Sequence, residues 1–323
     1  MQKLRNVIIL SAITTAIGFM AAIFVVNFLK AKAVEEKQKE RILDKYSIES
    51  LSKANIAPAK LTFDEENLSF TMEFSPSLDG QTKKVSGQAM FPSEAKAPIV
   101  LMIRGYVDKE IYKSGIGTNH AAEVFVKNGY ITLAPDFLGY GAGDTESENL
   151  FEARFQTYTT TLALLSSLDQ VPGWDGRNVF IWAHSNGGQI ALTTLEVTSK
   201  DYPTTLWAPV SAPFPFSVLY YGGELPDYGK YIRGELAKFE ADYDTDLYST
   251  HKYYDRIMAP IQIEQGTADK SIPLQWSDAL VKSLEDLDLD VSYYTYPGAD
   301  HNMVPGWNTA IARDLVFFEK NLK

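Results

Sequence analysis

The stretch FIWAHSNGGQI, residues 180–190, decides how this chain folds. Its first half is an unbroken apolar run, the pattern of a strand buried on both faces of a parallel sheet. Its second half sets a lone serine, Ser185, between His184 and Asn186, and Gly187 and Gly188 follow at once. A strand that passes directly into a helix through such a stretch must turn sharply, which requires small residues two positions before and after the turning residue. Ala183 and Gly187 meet that requirement, and Gly188 eases the helix against the sheet. In open parallel sheets, sites form outside the carboxyl ends of the strands, so a serine at this turn faces a site.

On both sides of this stretch, apolar runs alternate with helical segments. After Pro98 come the strand IVLMI, a helix from about Asn119 to Asn128, the strand YITLAPD, and a helix marked by Phe151, Phe155, Tyr158, Leu162 and Leu165. Beyond the elbow follow a helix with Ile190, Leu192 and Leu195, the strands TTLWAPV and IQIEQG, a helix around Trp276 to Leu284, the strand VSYYTY, and a closing helix with Ile311, Leu315, Phe318 and Leu322. Upstream, LSFTMEF and VSGQAMF alternate strictly and predict two antiparallel strands. The expected fold is α/β, a mostly parallel twisted sheet with helices on both faces. Residues 211–256, too many for a simple connection and dense in Tyr, Phe and acids, predict a cap-like insertion.

The ends of the chain read differently. Val7 to Leu29 carries no charged side chain and would extend about 35 Å as a helix, enough to cross a bilayer. Residues 1–29 are therefore expected to form a short tail and a transmembrane signal-anchor, with a cleaved secretory signal ending near Ala31–Ala33 as the rival. Lys3 and Arg5 before the span are fewer than Lys30, Lys32, Lys37, Lys39 and Arg41 after it, but the latter are interleaved with Glu35, Glu36 and Glu40; the following domain is expected outside the cytoplasm. Residues 30–59, charged and with a weak apolar stripe of Val34, Leu43, Tyr46 and Leu51, are expected as a stalk or linker helix, leaving 60–323 as the folded domain.

Composition narrows the chemistry. A net charge of -11 argues against nucleic-acid partners, which require clustered Lys and Arg. The absence of cysteine excludes disulfides, thiolate metal sites and thiol catalysis.

A serine hydroxyl needs a base to remove its proton, and at an elbow of this kind the partners follow in the order Ser, Asp, His. Asp269, in QGTADKSIP, lies just after one predicted strand, and His301, in PGADHNM, just after the next. Of the other histidines, His184 sits on the wrong side of the elbow, His120 begins an early helix and His251 lies within the insertion. Asp300 is a weaker rival acid, and Asp136, Asp144 and Asp278 read as turn or surface residues. For the oxyanion, the backbone N–H of Asn186 supplies one donor, and the loop RGYVDKE after the first parallel strand is the place for a second. Tyr106 is the candidate there, with simple packing at a domain edge as the alternative. No metal or cofactor is expected.

Together HSNGG, GTADKSIP and PGADHNM, with RGY and APDFLGYG upstream, resemble the catalytic domain of the prolyl-oligopeptidase type of α/β-hydrolase over about residues 60–323. The resemblance implies Ser185, Asp269 and His301 as the triad and gives Tyr106 the role of donating its hydroxyl to the oxyanion. It departs in that only a stalk and a strand pair precede the fold, where many such peptidases carry a large propeller. The expectation is a membrane-anchored serine hydrolase acting on a small peptide or ester, a peptidase first and a carboxylesterase with the same triad as the alternative. A non-catalytic surface binding module is the third possibility.

Overall fold

In the computed structural model, which describes residues 22–27 and 41–323, the apolar runs assemble into one nine-stranded sheet. The strands are β1 (Lys60–Asp64), β2 (Ser69–Phe74), β3 (Lys83–Met90), β4 (Ala97–Ile103), β5 (Ile131–Pro135), β6 (Trp174–His184), β7 (Thr204–Trp207), β8 (Ile261–Gly266) and β9 (Val291–Tyr296). Their spatial order is β1-β2-β3-β5-β4-β6-β7-β8-β9. β1, β2, β3 and β5 pair antiparallel in turn, and every pairing from β5 through β4 and β6 to β9 is parallel. The parallel strands are the unbroken apolar runs, β4, β5 and β8 being buried almost throughout, as expected where helices cover both faces.

Eight helices belong to this unit: α1 (Ile48–Lys53), α2 (Asn119–Lys127), α3 (Leu150–Leu165), α4 (Asn186–Thr198), α5 (Phe216–Leu219), α6 (Lys230–Asp242), α7 (Leu274–Glu285) and α8 (Trp307–Lys320). One core joins Phe125 of α2, Tyr130, Phe180 and Trp182 of β6, Trp207 and Phe318 of α8. The sequence pattern missed β1, whose residues alternate between exposed and half-buried and carry Lys60 and Asp64 at its ends. At a sheet edge only one face packs, so the apolar signal is thin.

Two expectations change in extent. The stalk does not run to residue 59: the compact unit begins at Leu43, and Leu43, Tyr46, Ile48 and Leu51 are buried. Of the weak apolar stripe, Leu43, Tyr46 and Leu51 form a packing face, and Val34 lies outside the described residues. Ser47 caps α1 by accepting from the Ser50 N–H at 3.1 Å, while Tyr46 donates to Glu152 Oε1 at 2.9 Å and the Tyr248 hydroxyl donates to the Leu43 carbonyl at 3.1 Å. The insertion at 211–256 folds as α5, α6 and several 3₁₀ turns, and two groups of its aromatics pack in different directions while Tyr228 and Tyr231 stay exposed. Phe214, Phe239 and Tyr248 turn inward, with ring centroids 5.7, 4.8 and 5.0 Å from Phe151 or Phe155 of α3. Phe216, Tyr220 and Tyr221 gather around Trp276, and Tyr221 donates to the Ser271 carbonyl at 3.1 Å.

Most of the expected membrane span, residues 7–29, lies outside the described residues; residues 22–27 are helical. Among the described residues no helix is long and apolar enough to cross a membrane.

Candidate active site

Ser185 stands at φ 56°, ψ −121° between β6 and α4, a left-handed backbone that costs a non-glycine residue about 1–3 kcal/mol. The surroundings hold it there. Its N–H donates to the Trp207 carbonyl at 2.9 Å, and its own carbonyl accepts from Gly188 and Val210 at 2.9 Å each. The neighbouring glycines are required by contact: a Cβ on Gly187 would lie 2.2 Å from the Ile103 carbonyl oxygen, and one on Gly188 would lie 2.5 Å from Pro209 Cβ. Gly105, at the end of β4, is pressed against the serine itself, since a Cβ there would come within 2.8 Å of Ser185 Cβ. Asn186 begins α4, so its backbone N–H has no acceptor one turn earlier within the helix.

The turns after β8 and β9 supply a carboxyl and an imidazole. Asp269 Oδ2 lies 2.8 Å from His301 Nδ1 and also accepts from Gln265 Nε2 at 3.1 Å, while Oδ1 accepts from the Ser271 and Ile272 amides at 2.8 and 2.9 Å. Burial opposes the charge on Asp269, but the histidine and the two amides outweigh it and hold the carboxyl below its ordinary range. The two turns interlock at Gly266, where any Cβ would sit 2.4 Å from the Ala299 carbonyl oxygen. Gln265 is itself fixed by Ser277 of α7, which donates to its amide oxygen at 2.8 Å.

His184 links the two halves. Its Nε2 lies 2.9 Å from the His301 carbonyl oxygen, and the two imidazoles are 4.6 Å apart between centroids, which seats the histidine turn on the serine elbow. Burial, reinforced by the neighbouring His301, lowers the His184 pKa to about 4. A neutral ring therefore donates to that carbonyl. No hydrogen bond joins Ser185 Oγ to His301 among the described residues; the elbow and the Asp269–His301 pair are brought together without that contact being closed.

The remaining candidates sort themselves by their bonds. Asp300 spends Oδ1 on the Asn302 and Val304 amides, 2.9 and 3.0 Å away, and so shapes the turn. His120 stacks on Trp307, and His251 bonds Ser249. Tyr106 is 71% exposed, and its hydroxyl donates to Asp108 at 2.8 Å, a bond that with burial raises its pKa to about 12. Asp136, expected at a turn or surface, is fully buried, receiving hydroxyls from Ser86, Tyr112 and Ser114. Among the described residues no group of three His, Asp or Glu is placed to hold a metal. A cleft of about 800 Å³ is walled by Trp182, His184, Asn302 and Trp307, beside the elbow and the histidine turn.

Sequence pattern overlooked His184 as a support, and Gly266, Gln265 and Arg104 altogether. Only Gly266 left a readable trace, as a glycine ending a buried strand.

A central parallel sheet with a strained serine elbow and an acid–histidine pair on the following strand ends defines an α/β-hydrolase, and the chain is a hydrolytic enzyme of the serine type. It belongs to the dienelactone hydrolase family, which it matches over residues 85–305. No curated protein matches it. Among solved structures, the acetyl xylan esterase from Paenibacillus sp. R4 superposes with a TM-score of 0.60 at 16% identity, covering 85% of this chain and 92% of that one. Est1E from Butyrivibrio proteoclasticus, solved with ferulic acid, gives 0.54 at 17% identity, with 75% and 96% covered. A puromycin-hydrolyzing peptidase from Mycobacterium tuberculosis gives 0.55 at 17% identity and 79% coverage here, but the chain spans only 37% of its length.

Proposed function

We propose that the protein cleaves a small carboxylic ester through a Ser185–His301–Asp269 triad and an acyl-enzyme. The observation that carries this is the Asp269–His301 pair, 2.8 Å between atoms, seated by His184 on the strained Ser185 elbow. Asp269 accepts from Nδ1–H, which leaves Nε2 of His301 as the base. As Nε2 takes the hydroxyl proton, Ser185 Oγ bonds to the substrate carbonyl carbon and the carbonyl electron pair moves onto oxygen. The oxyanion is received by two backbone donors, Asn186 N–H and Tyr106 N–H. The Tyr106 hydroxyl, held by Asp108, takes no part in this scheme. His301 returns the proton to the departing alkoxide as the carbon–oxygen bond breaks, and water repeats the sequence to release the acid. Every proton in this route is carried by the chain's own groups.

Ester cleavage is preferred because the family is named for the hydrolysis of a lactone, a cyclic ester, and the acetyl xylan esterase superposes with a TM-score of 0.60, against 0.55 and 0.58 for two peptidases. Amide cleavage of the prolyl-oligopeptidase type is the second reading, favoured by a TM-score of 0.58 with a putative dipeptidyl aminopeptidase IV from Bacteroides ovatus. Short-acyl p-nitrophenyl esters assayed beside dipeptidyl and prolyl amides separate the two: ester turnover with inert amides is expected, and faster amide turnover would reverse the order. A fluorophosphonate should label the protein at Ser185 and fail to label Ser185→Ala; labelling that persists in that variant removes the triad, and no labelling of the native protein favours a binding module. We further propose that residues 7–29 anchor the enzyme to the membrane with its catalytic domain outside the cytoplasm. Protease treatment of intact cells should then digest the domain while the cytoplasm stays protected.

A further inference from the structure

Arg104 directly follows β4, immediately before the proposed oxyanion loop, and it is buried. A buried guanidinium must spend its donors well. Nη1 donates to the Gly105 carbonyl at 2.9 Å and Nη2 to the Asp136 carbonyl at 2.8 Å, a fork that ties the end of β4 to the end of β5. Its guanidinium carbon lies 4.4 Å from the Tyr112 centroid and 4.1 Å from that of Tyr140, two rings that meet edge to face 5.1 Å apart. Both rings are anchored in turn: the Tyr112 hydroxyl donates to Asp136 Oδ1 at 2.6 Å, and the Tyr140 hydroxyl donates to the Val107 carbonyl at 3.0 Å.

The two carbonyls flanking Tyr106 in the chain are therefore both held, Gly105 by Arg104 and Val107 by Tyr140. In a planar trans peptide the C=O and the N–H point in opposite directions, so fixing the Gly105 carbonyl on Arg104 aims the Tyr106 N–H away from the guanidinium. That peptide starts at the Gly105 Cα, which packs on Ser185; a Cβ there would be 3.3 Å from Ser185 Oγ.

We propose that Arg104, with Tyr140, is a positioning residue that sets and polarises the Tyr106 backbone N–H as an oxyanion donor. This rests on the serine-hydrolase reading above. The positive charge behind the Gly105–Tyr106 peptide draws electron density from the amide, so the donor is strengthened as well as aimed. The contribution belongs to the transition state, where negative charge appears on oxygen, and not to ground-state binding.

The test is steady-state kinetics on a short-acyl p-nitrophenyl ester. Arg104→Met keeps the stem and loses the donors; kcat should fall about 30- to 100-fold with KM within about threefold, the range for a misplaced oxyanion donor. In Arg104→Ala, millimolar guanidinium chloride should restore part of kcat, a recovery that a purely structural role would not show. Tyr140→Phe retains the ring over Arg104 and frees only the Val107 carbonyl; it should lower kcat about three- to tenfold, the value of one hydrogen bond. Arg104→Met with kcat within about twofold of the native protein, or with its loss confined to KM, overturns the proposal. Should that variant fail to fold, an unchanged kcat in Tyr140→Phe overturns it instead. Loss of turnover in Ser185→Ala beside intact Arg104 and Tyr140 variants would refute the positioning role alone, whereas turnover surviving in Ser185→Ala would refute the triad.

Discussion

Two acidic clusters sit close together along β8 and the turn after it, and they hold their protons in opposite ways. Asp269, at the end of the turn, receives two backbone amides, the Gln265 side chain and the His301 imidazole, and its carboxyl stays below the ordinary range. Glu264, within the strand, and Asp314, on α8, are fully buried and share the Gln262 amide, at 2.9 and 3.0 Å. Burial raises both above the ordinary carboxylate range, with the mutual repulsion of the pair adding to the rise for Asp314. The Glu264 partners include the Tyr296 hydroxyl, and those of Asp314 the Trp207 indole, 2.8 Å away. What separates the clusters is the donor set. A carboxylate facing backbone amides and an imidazole is favoured in its charged form at a site, while burial of two acids that share one amide between β8 and α8 favours the protonated form.

Asp269→Asn should break the proposed catalytic cluster with the largest effect, lowering kcat on the order of 10³- to 10⁴-fold, because an amide cannot hold the imidazole in the required tautomer. A kcat within tenfold of the native value would remove Asp269 from the proposed triad. Gln265→Leu removes a single donor from Asp269 and should cost about tenfold in kcat, the worth of one hydrogen bond to a charged group. Stopped turnover assays would show it, and an unchanged kcat would mean that the backbone amides suffice.

Glu264→Gln should have the smallest effect on activity, with kcat within about twofold, but a clear one on stability against pH. A carboxyl whose folded pKa is raised contributes stability that is fully present below its unfolded value of 4.5 and is lost as pH rises through the folded value. The native protein should therefore lose melting temperature between pH 5 and the alkaline side more steeply than the glutamine variant. Equal slopes would show that Glu264 is already ionised. Asp269 has the opposite sign: its folded pKa is lowered from 3.8, so its contribution is present above that value and lost as pH falls through the folded value. The acid-side melting curve of Asp269→Asn should accordingly be flatter than that of the native protein.

Arg104 and Asp136 show where the sequence was silent. An arginine ending an apolar strand and an aspartate before a glycine-rich turn look like surface punctuation, and only pairing of β4 with β5 puts them side by side in a dry interior. Tyr106 shows the reverse, since the family resemblance implied a reactive hydroxyl there, while in the structure that hydroxyl donates to Asp108. The segment from Leu43 to Leu51 was equally opaque, because four apolar residues among charges give a face without naming what covers it.

The sequence by itself determined the alternating architecture, the central strands and the position of Ser185, because apolar period and the size of a glycine act over a few residues and are written locally. The order Ser, Asp, His along the chain was likewise legible from strand ends. Tertiary structure alone decided that His184 seats the histidine turn, that Gly266 admits it, that Arg104 fixes the Gly105 carbonyl and that Glu264 and Asp314 share a buried amide. Each of these is a contact between segments far apart in the chain, and burial, which sets the charge of the groups involved, is a property of what the rest of the fold places around them.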